Sequence, residues 1–285
     1  MRAHHLSIPI AIAATFWLAA PAAAAPFLFS TGSPDGRIAT LSRPASGGQT
    51  ETETADDFTL RQATQITHAT FTGLLPTGAT LSSVNRVEIE LYHIFPRDSA
   101  NPPAGNVLTR VNSPSDDQFE TRDSALGTLT FATTLLNSSF TAANSVVNGV
   151  NPVPNQRTGG EGPVTGQEVQ FDVDFTVPLD LAADHNFFRP EVGLDDGSFL
   201  WLSAAGPVVP PAGTPPSDLQ TWMRSPNIAP DWERPGADIV GSGTFNAAFS
   251  LSGTTTDVPE PASAALLLAS IGGLLVASRA RRQAI

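Results

Sequence analysis

The chain is 285 residues long with a formal net charge of −12 at pH 7, has no cysteine, and takes all 15 of its basic residues from arginine. The missing thiols exclude disulfide staples, thiolate catalysis and cysteine-based metal sites. Between Ala25 and Asp257 stand 11 Arg and 26 acids, a balance of 11 − 26 = −15, which argues against sequence-independent binding to nucleic acid or to anionic lipid.

Residues 1–24 read as a secretory signal peptide. Arg2, His4 and His5 form a short polar start, Leu6 to Ala20 is apolar, and the run PAAAAP offers the small residues that a signal peptidase reads, with cleavage placed after Ala24. The other reading of this segment is an uncleaved anchor, against which the shortness of the apolar core counts.

The body, residues 25–257, reads as all-β, because apolar residues recur at every second position and the breaks are rich in Gly, Pro, Asn and Asp. After a polar lead-in from Phe27 to Thr54, ADDFTL (Ala55 to Leu60) opens the folded region, and Gln65 to Leu74 alternates Ile66, His68 and Thr70 against Thr67, Ala69 and Phe71. In Val84 to Phe95 the pattern places Val87, Ile89 and Leu91 inward and Glu88, Glu90 and Tyr92 on a wet face. Gly127 to Leu136 is the next expected strand. Glu168 to Val177 alternates Val169, Phe171, Val173 and Phe175 with Gln170, Asp172 and Asp174. His185 to Leu194 and Ser198 to Ala204 are separated by Asp195, Asp196 and Gly197, a type I′ hairpin signal, and Gly243 to Gly253 is the last strand. About eight strands with half-solvated faces predict a two-sheet antiparallel β-sandwich, jelly-roll-like, with an irregular barrel as the second architecture.

Three long connections, Pro96 to Leu126, Asn137 to Gln167 and Ala204 to Asp238, interrupt these strands. The third carries Trp222, Met223 and Trp232, and two readings stand: the tryptophans are exposed platforms for sugar rings, or they fold back and plug the end of the sandwich. Glu88 and Glu90, two apart on one strand face, have the spacing of a paired-carboxylate hydrolase but also that of any solvated strand face, and Asp172 with Asp174 reads the same way. His68, His93 and His185 each lack a second ligand at metal spacing, so no metal site is assigned. Asp56/Asp57, Asp116/Asp117 and Asp195/Asp196 carry oxygen donors of the kind a structural calcium takes, without the EF-hand pattern. No nucleophile elbow, phosphate-binding loop or nucleotide fingerprint occurs, so no catalytic residue and no cofactor is assigned.

The chain closes on VPEPASAALLLASIGGLLVASRARRQAI, residues 258–285. Val258, Pro259, Glu260 and Pro261 form a rigid hinge, residues 262–278 are uncharged and just long enough to span a bilayer as a helix, and Arg279, Arg281 and Arg282 hold the terminus on the cytoplasmic side. This order resembles the PEP-CTERM sorting signal of Gram-negative, exopolysaccharide-producing bacteria and covers about a tenth of the chain. The resemblance implies that Pro259, Glu260 and Pro261 are read by a membrane-embedded exosortase. It further implies an inner-membrane precursor that is cut near the motif and passed to the cell exterior.

Two function classes follow. One is a non-enzymatic, structural or glycan-associated protein of the envelope or matrix, with exopolysaccharide as the expected partner. The other is a secreted jelly-roll enzyme acting on glycans, with Glu88, Glu90 and the Trp222 to Trp232 loop as its parts.

Overall fold

The computed structural model describes residues 24–46, 48–99, 112–147, 157–206, 220–225 and 228–256. The expected signal peptide (but for Ala24), the hinge and helix 262–278, and Arg279, Arg281 and Arg282 lie outside the described residues. Among the described residues no helix is long and apolar enough to cross a membrane. In chain order the strands are β1 (Pro26–Ser30), β2 (Pro34–Leu41), β3 (Glu53–Thr59), β4 (Thr64–Pro76), β5 (Val84–Ile94), β6 (Pro114–Asp123), β7 (Leu129–Ala142), β8 (Asn144–Val146), β9 (Val164–Leu181), β10 (His185–Leu194), β11 (Leu200–Ala204), β12 (Trp222–Ser225), β13 (Ile228–Glu233), β14 (Asn246–Ala247) and β15 (Phe249–Thr255).

They form two sheets. The nine-stranded sheet runs β1-β15-β4-β11-β2-β8, with β14 beside β11, β9 beside β4 and β7 outside β9; the six-stranded sheet runs β13-β12-β3-β10-β5-β6. The expected two-sheet, β-dominated architecture is present, but larger than an eight-stranded jelly roll. All pairs are antiparallel except β2 with β8, which is parallel. The additional strands lie in segments expected to be lead-in or connection: β1 and β2 in the lead-in, β6 in the first long connection, β8 and the start of β9 in the second, β12 and β13 in the third.

The core lies between the sheets. Val87, Ile89 and Leu91 of β5 and Phe188 and Val192 of β10 meet Phe71, Phe171, Val173, Trp201 and Phe249 of the nine-stranded sheet. Phe188 stacks on Phe249 at 5.2 Å between ring centroids, joining the sheets. Phe71 stacks on Phe171 at 4.7 Å, and Phe199 meets both edge-on. That closeness requires Gly73, where a Cβ would lie 2.1 Å from a Phe199 ring carbon.

Strand alternation holds in β9, where Val169, Phe171, Val173 and Phe175 are buried. In β4 a register shift between Ile66 and His68 turns Ile66, Ala69 and Phe71 to the same core, so the two-residue period expected across this segment is interrupted by a bulge. The expected hairpin at Asp195 to Gly197 is corrected too: β10 belongs to the six-stranded sheet and β11 to the nine-stranded one, so Gly197, at φ +83°, turns the chain between sheets.

The two ends of the body lie side by side. Pro26 pairs with Thr254, the Thr255 amide donates to the Ala25 carbonyl at 2.8 Å, and the Ala25 amide donates to Thr255 Oγ1 at 3.2 Å. Residues 24–256 thus form a compact unit that contains its own core and closes on itself.

Candidate functional site

The face of the six-stranded sheet that turns away from the core gathers its charge around one side chain. Alternation along β10 turns Phe188, Pro190 and Val192 inward and Phe187, Arg189 and Glu191 outward; the neighbouring strands place Glu53 (β3), Glu88, Glu90 and Tyr92 (β5), and Trp222 and Arg224 (β12) on the same face. Arg189 is only 1% exposed. Its guanidinium donates to Glu51 at 2.7 Å and to Glu90 and Glu191, and lies 4.0 Å from Glu53. Glu90 also accepts from the Tyr92 hydroxyl at 2.5 Å.

Arg224 extends the cluster. It donates to both carboxylate oxygens of Glu53 and to the Asp116 carbonyl at 2.9 Å, while its guanidinium carbon lies 4.6 Å from the Trp232 ring centroid and 5.5 Å from that of Tyr92. Trp232 meets Tyr92 edge-on and donates its indole N–H to the Ser115 carbonyl at 2.9 Å. At the far side Arg86 bridges Glu88 at 2.6 Å and Asp123 at 2.7 Å.

Electrostatics follow from this crowding. Burial acts to lower the Arg189 pKa, but Glu53, Tyr92, Glu90 and Glu51 outweigh it and hold the guanidinium above its ordinary value. Burial raises the Glu51 and Glu88 carboxyls, only partly offset by Arg189 and Arg86 respectively. Tyr92 is pushed well up, by burial first and then by Glu53. For Asp123 burial is overridden by the hydrogen bond from Arg86, and its pKa is lowered.

Of the two readings of the third connection, the one in which the tryptophans fold back holds: Trp222 and Trp232 are 0% and 1% exposed. They pack with Ala55, Tyr92 and Phe187 in a small apolar cluster, because β12 and β13 add to the edge of the sheet instead of hanging free as a loop. The face expected to be wet at Glu88, Glu90 and Tyr92 is largely closed: Glu90 is 8% and Tyr92 1% exposed, because Arg189, Arg224 and Trp232 cover it. Glu88 and Glu90 also bond different arginines, so the structure does not join them as an acid and base facing one substrate.

The three body histidines lie apart, each beside one carboxylate: His68 with Asp174 at 2.9 Å, His93 with Asp98 at 2.5 Å, and His185 with Asp57 at 2.7 Å. Among the described residues no group of three or more His, Asp or Glu gathers as a metal site. Asp56 is fully buried, accepts from the Thr221 hydroxyl at 2.5 Å and from the Ala247 amide, and is raised well above its ordinary pKa, by burial first and then by Asp57. Asp195 accepts from the Asn85 amide at 2.7 Å. Cavities of about 220 Å³, against Arg43, Gln49, Asp195 and Asp196, and about 260 Å³, against Thr70, Glu168, Gln170 and Ser250, lie away from the Arg189 cluster.

Sequence reasoning missed Arg189 and Arg224. The signal was an arginine in phase with Phe187 and Glu191 on a strand otherwise buried, but of its partners only Glu191 is local, and Glu51, Glu53 and Glu90 come from two other segments.

Residues 257–282 match the family described as the PEP-CTERM protein-sorting motif. No curated protein and no solved structure matches the chain. The chain therefore carries a PEP-CTERM sorting motif behind a β-rich body, which implies an exosortase as its processing partner and export through a membrane-anchored precursor.

Proposed function

We propose that the body is a non-enzymatic, structural or glycan-associated component of the cell envelope or extracellular matrix, delivered there by exosortase processing. The observation that carries this reading is the engagement of the Arg189 cluster with itself: Glu51, Glu53, Glu90 and Glu191 are held by arginines. A hydrolase needs one carboxyl held neutral opposite another, both open to substrate. A network in which carboxylates and guanidiniums neutralise one another suits a structural sheet better.

Delivery and role are tested together. Tags placed before Val258 and after Ile285, in a host that has an exosortase, report processing: wild type loses the C-terminal tag during export, whereas a variant with Pro259, Glu260 and Pro261 changed to Ala stays full-length in the membrane fraction. Equal processing of the two would overturn the delivery route. Incubating the exported body with the host's own exopolysaccharide then separates roles. Retention or inertness without new reducing ends agrees with the proposal, and new reducing ends would replace it with a glycan-cleaving enzyme.

A further inference from the structure

Sheet edges that stay unpaired are usually short, charged or interrupted by proline, because a bare row of N–H and C=O groups templates another strand. Five of the six edges among the described residues follow that rule. In the six-stranded sheet β6 carries Asp116, Asp117, Glu120, Arg122 and Asp123, and β13 carries Pro230, Asp231 and Glu233; in the nine-stranded sheet β1 opens on Pro26, β8 is three residues long and β14 two. The sixth, β7, reads LTFATTLLNSSFTA over 14 residues, without charge or proline. It pairs β9 in unbroken register from Leu129 to Leu135 before bulges interrupt the ladder, and among the described residues no strand lies on its other side. Leu135 and Leu136, pointing to opposite faces, are 42% and 48% exposed.

We infer that this edge pairs with the same edge of a second copy of the chain, joining two nine-stranded sheets into one. Self-complementarity selects the occupant, since a neutral ladder set against its own two-fold copy opposes only neutral residues, and charge selects the place. The body's balance of −15 makes two copies repel, and contact is cheapest where neither brings charge. The acids of β9 opposite this ladder are Asp172 and Asp174, facing Ala132 and Thr130, with Glu168 beyond it opposite Asn137. With β7 of both copies between them, the two β9 strands stand three strand spacings apart, about 14 Å. That exceeds the screening length of about 8 Å at physiological salt but not the roughly 30 Å at 10 mM. An isologous antiparallel pairing centred on Ala132 sets Thr130 of one copy against Thr134 of the other and keeps both cores on the same side of the joined sheet. A ladder of seven residues buries less than a permanent interface needs, so the association is weak and reversible.

Sedimentation equilibrium of residues 24–256 at high micromolar concentration tests this. Wild type is expected to populate a dimer that tightens by at least about tenfold between about 10 mM and about 150 mM salt, as screening of the acidic rows demands. Thr130→Glu with Thr134→Glu places like charges opposite each other and is expected to leave only monomer. Thr130→Val with Thr134→Val keeps the edge neutral and is expected to keep the dimer. Far-ultraviolet dichroism and thermal midpoints of the variants establish that each is folded. A wild type monomeric at both salts, a dimer that survives the paired Glu substitutions in folded protein, or capture through β7 of other exported chains but not of itself would each overturn the inference.

Discussion

At Arg189 the balance between desolvation and attraction is decided by number. One buried guanidinium beside one buried carboxylate gains little over an apolar pair, but here Glu51, Glu90 and Glu191 bond it and Glu53 stands 4.0 Å away. Removing the cation leaves several buried carboxylates facing one another. Arg189→Met is therefore expected to cost about 3–5 kcal/mol, whereas Glu88→Gln, whose partner Arg86 is partly exposed, should cost no more than about 1 kcal/mol. Urea denaturation of the two variants measures both, and equal losses would show that the cluster is not centred on Arg189. Asp56 gives the pH dependence. Its folded pKa is raised, so its contribution to stability is full below its unfolded value and is lost as pH rises through the folded one. Glu51 and Glu88 act in the same sense, and Asp123, which is lowered, in the opposite sense below its ordinary value. Asp56→Asn keeps an acceptor for Thr221 and Ala247 but does not titrate. Its melting midpoint is expected to fall less than that of wild type between about pH 4 and pH 7, and identical slopes would remove Asp56 as the cause.

Strands differ in how openly their sequences declare them. The inner halves of β5 and β9 were legible because a buried apolar residue at every second position has no competing explanation. Their outer halves were not: Glu88, Glu90 and Tyr92 look the same whether water or Arg189 covers them. β12, with four residues, and β13, with Pro230 inside it, are too short and too broken for periodicity to register, so burial of Trp222 and Trp232 could be read as one alternative but not the strands that bring it about. Close approach is another property that periodicity does not carry. Gly73 lets β4 pass beneath Phe199, and a Cβ there would also stand 2.6 Å from the Leu200 carbonyl oxygen, which belongs to backbone and cannot rotate away. Gly73→Ala is thus expected to destabilise by about 1–3 kcal/mol through overpacking. A thermal midpoint equal to wild type would mean that β4 and β11 can separate without cost.

For the molecule as a whole, the sorting signal was the most legible property, since it is contiguous in sequence, whereas a sandwich core is assembled from distant strands. The same distance in sequence explains why strand order could not be read: β1 lies beside β15 and β3 between β12 and β10. The juxtaposition of Ala25 with Thr255 has a mechanical consequence. When a body is pulled by its two ends and those ends are neighbours on antiparallel strands, tension loads the ladder one rung at a time, starting with the bonds between Ala25 and Thr255. Such a seam peels, where a seam loaded along its length resists until all its bonds yield together. Stretched between handles at residues 24 and 256, the protein should therefore open first at β1, at low force. The same protein pulled from a handle at residue 24 against one on Gly48 loads β2 along its hydrogen-bonded neighbours and should hold to higher force. Equal rupture forces in the two geometries would rule this out. Peeling of this kind leaves a body that tethers at its two ends can unfasten strand by strand, beginning with β1, whose Phe29 is drawn out of the core as it leaves.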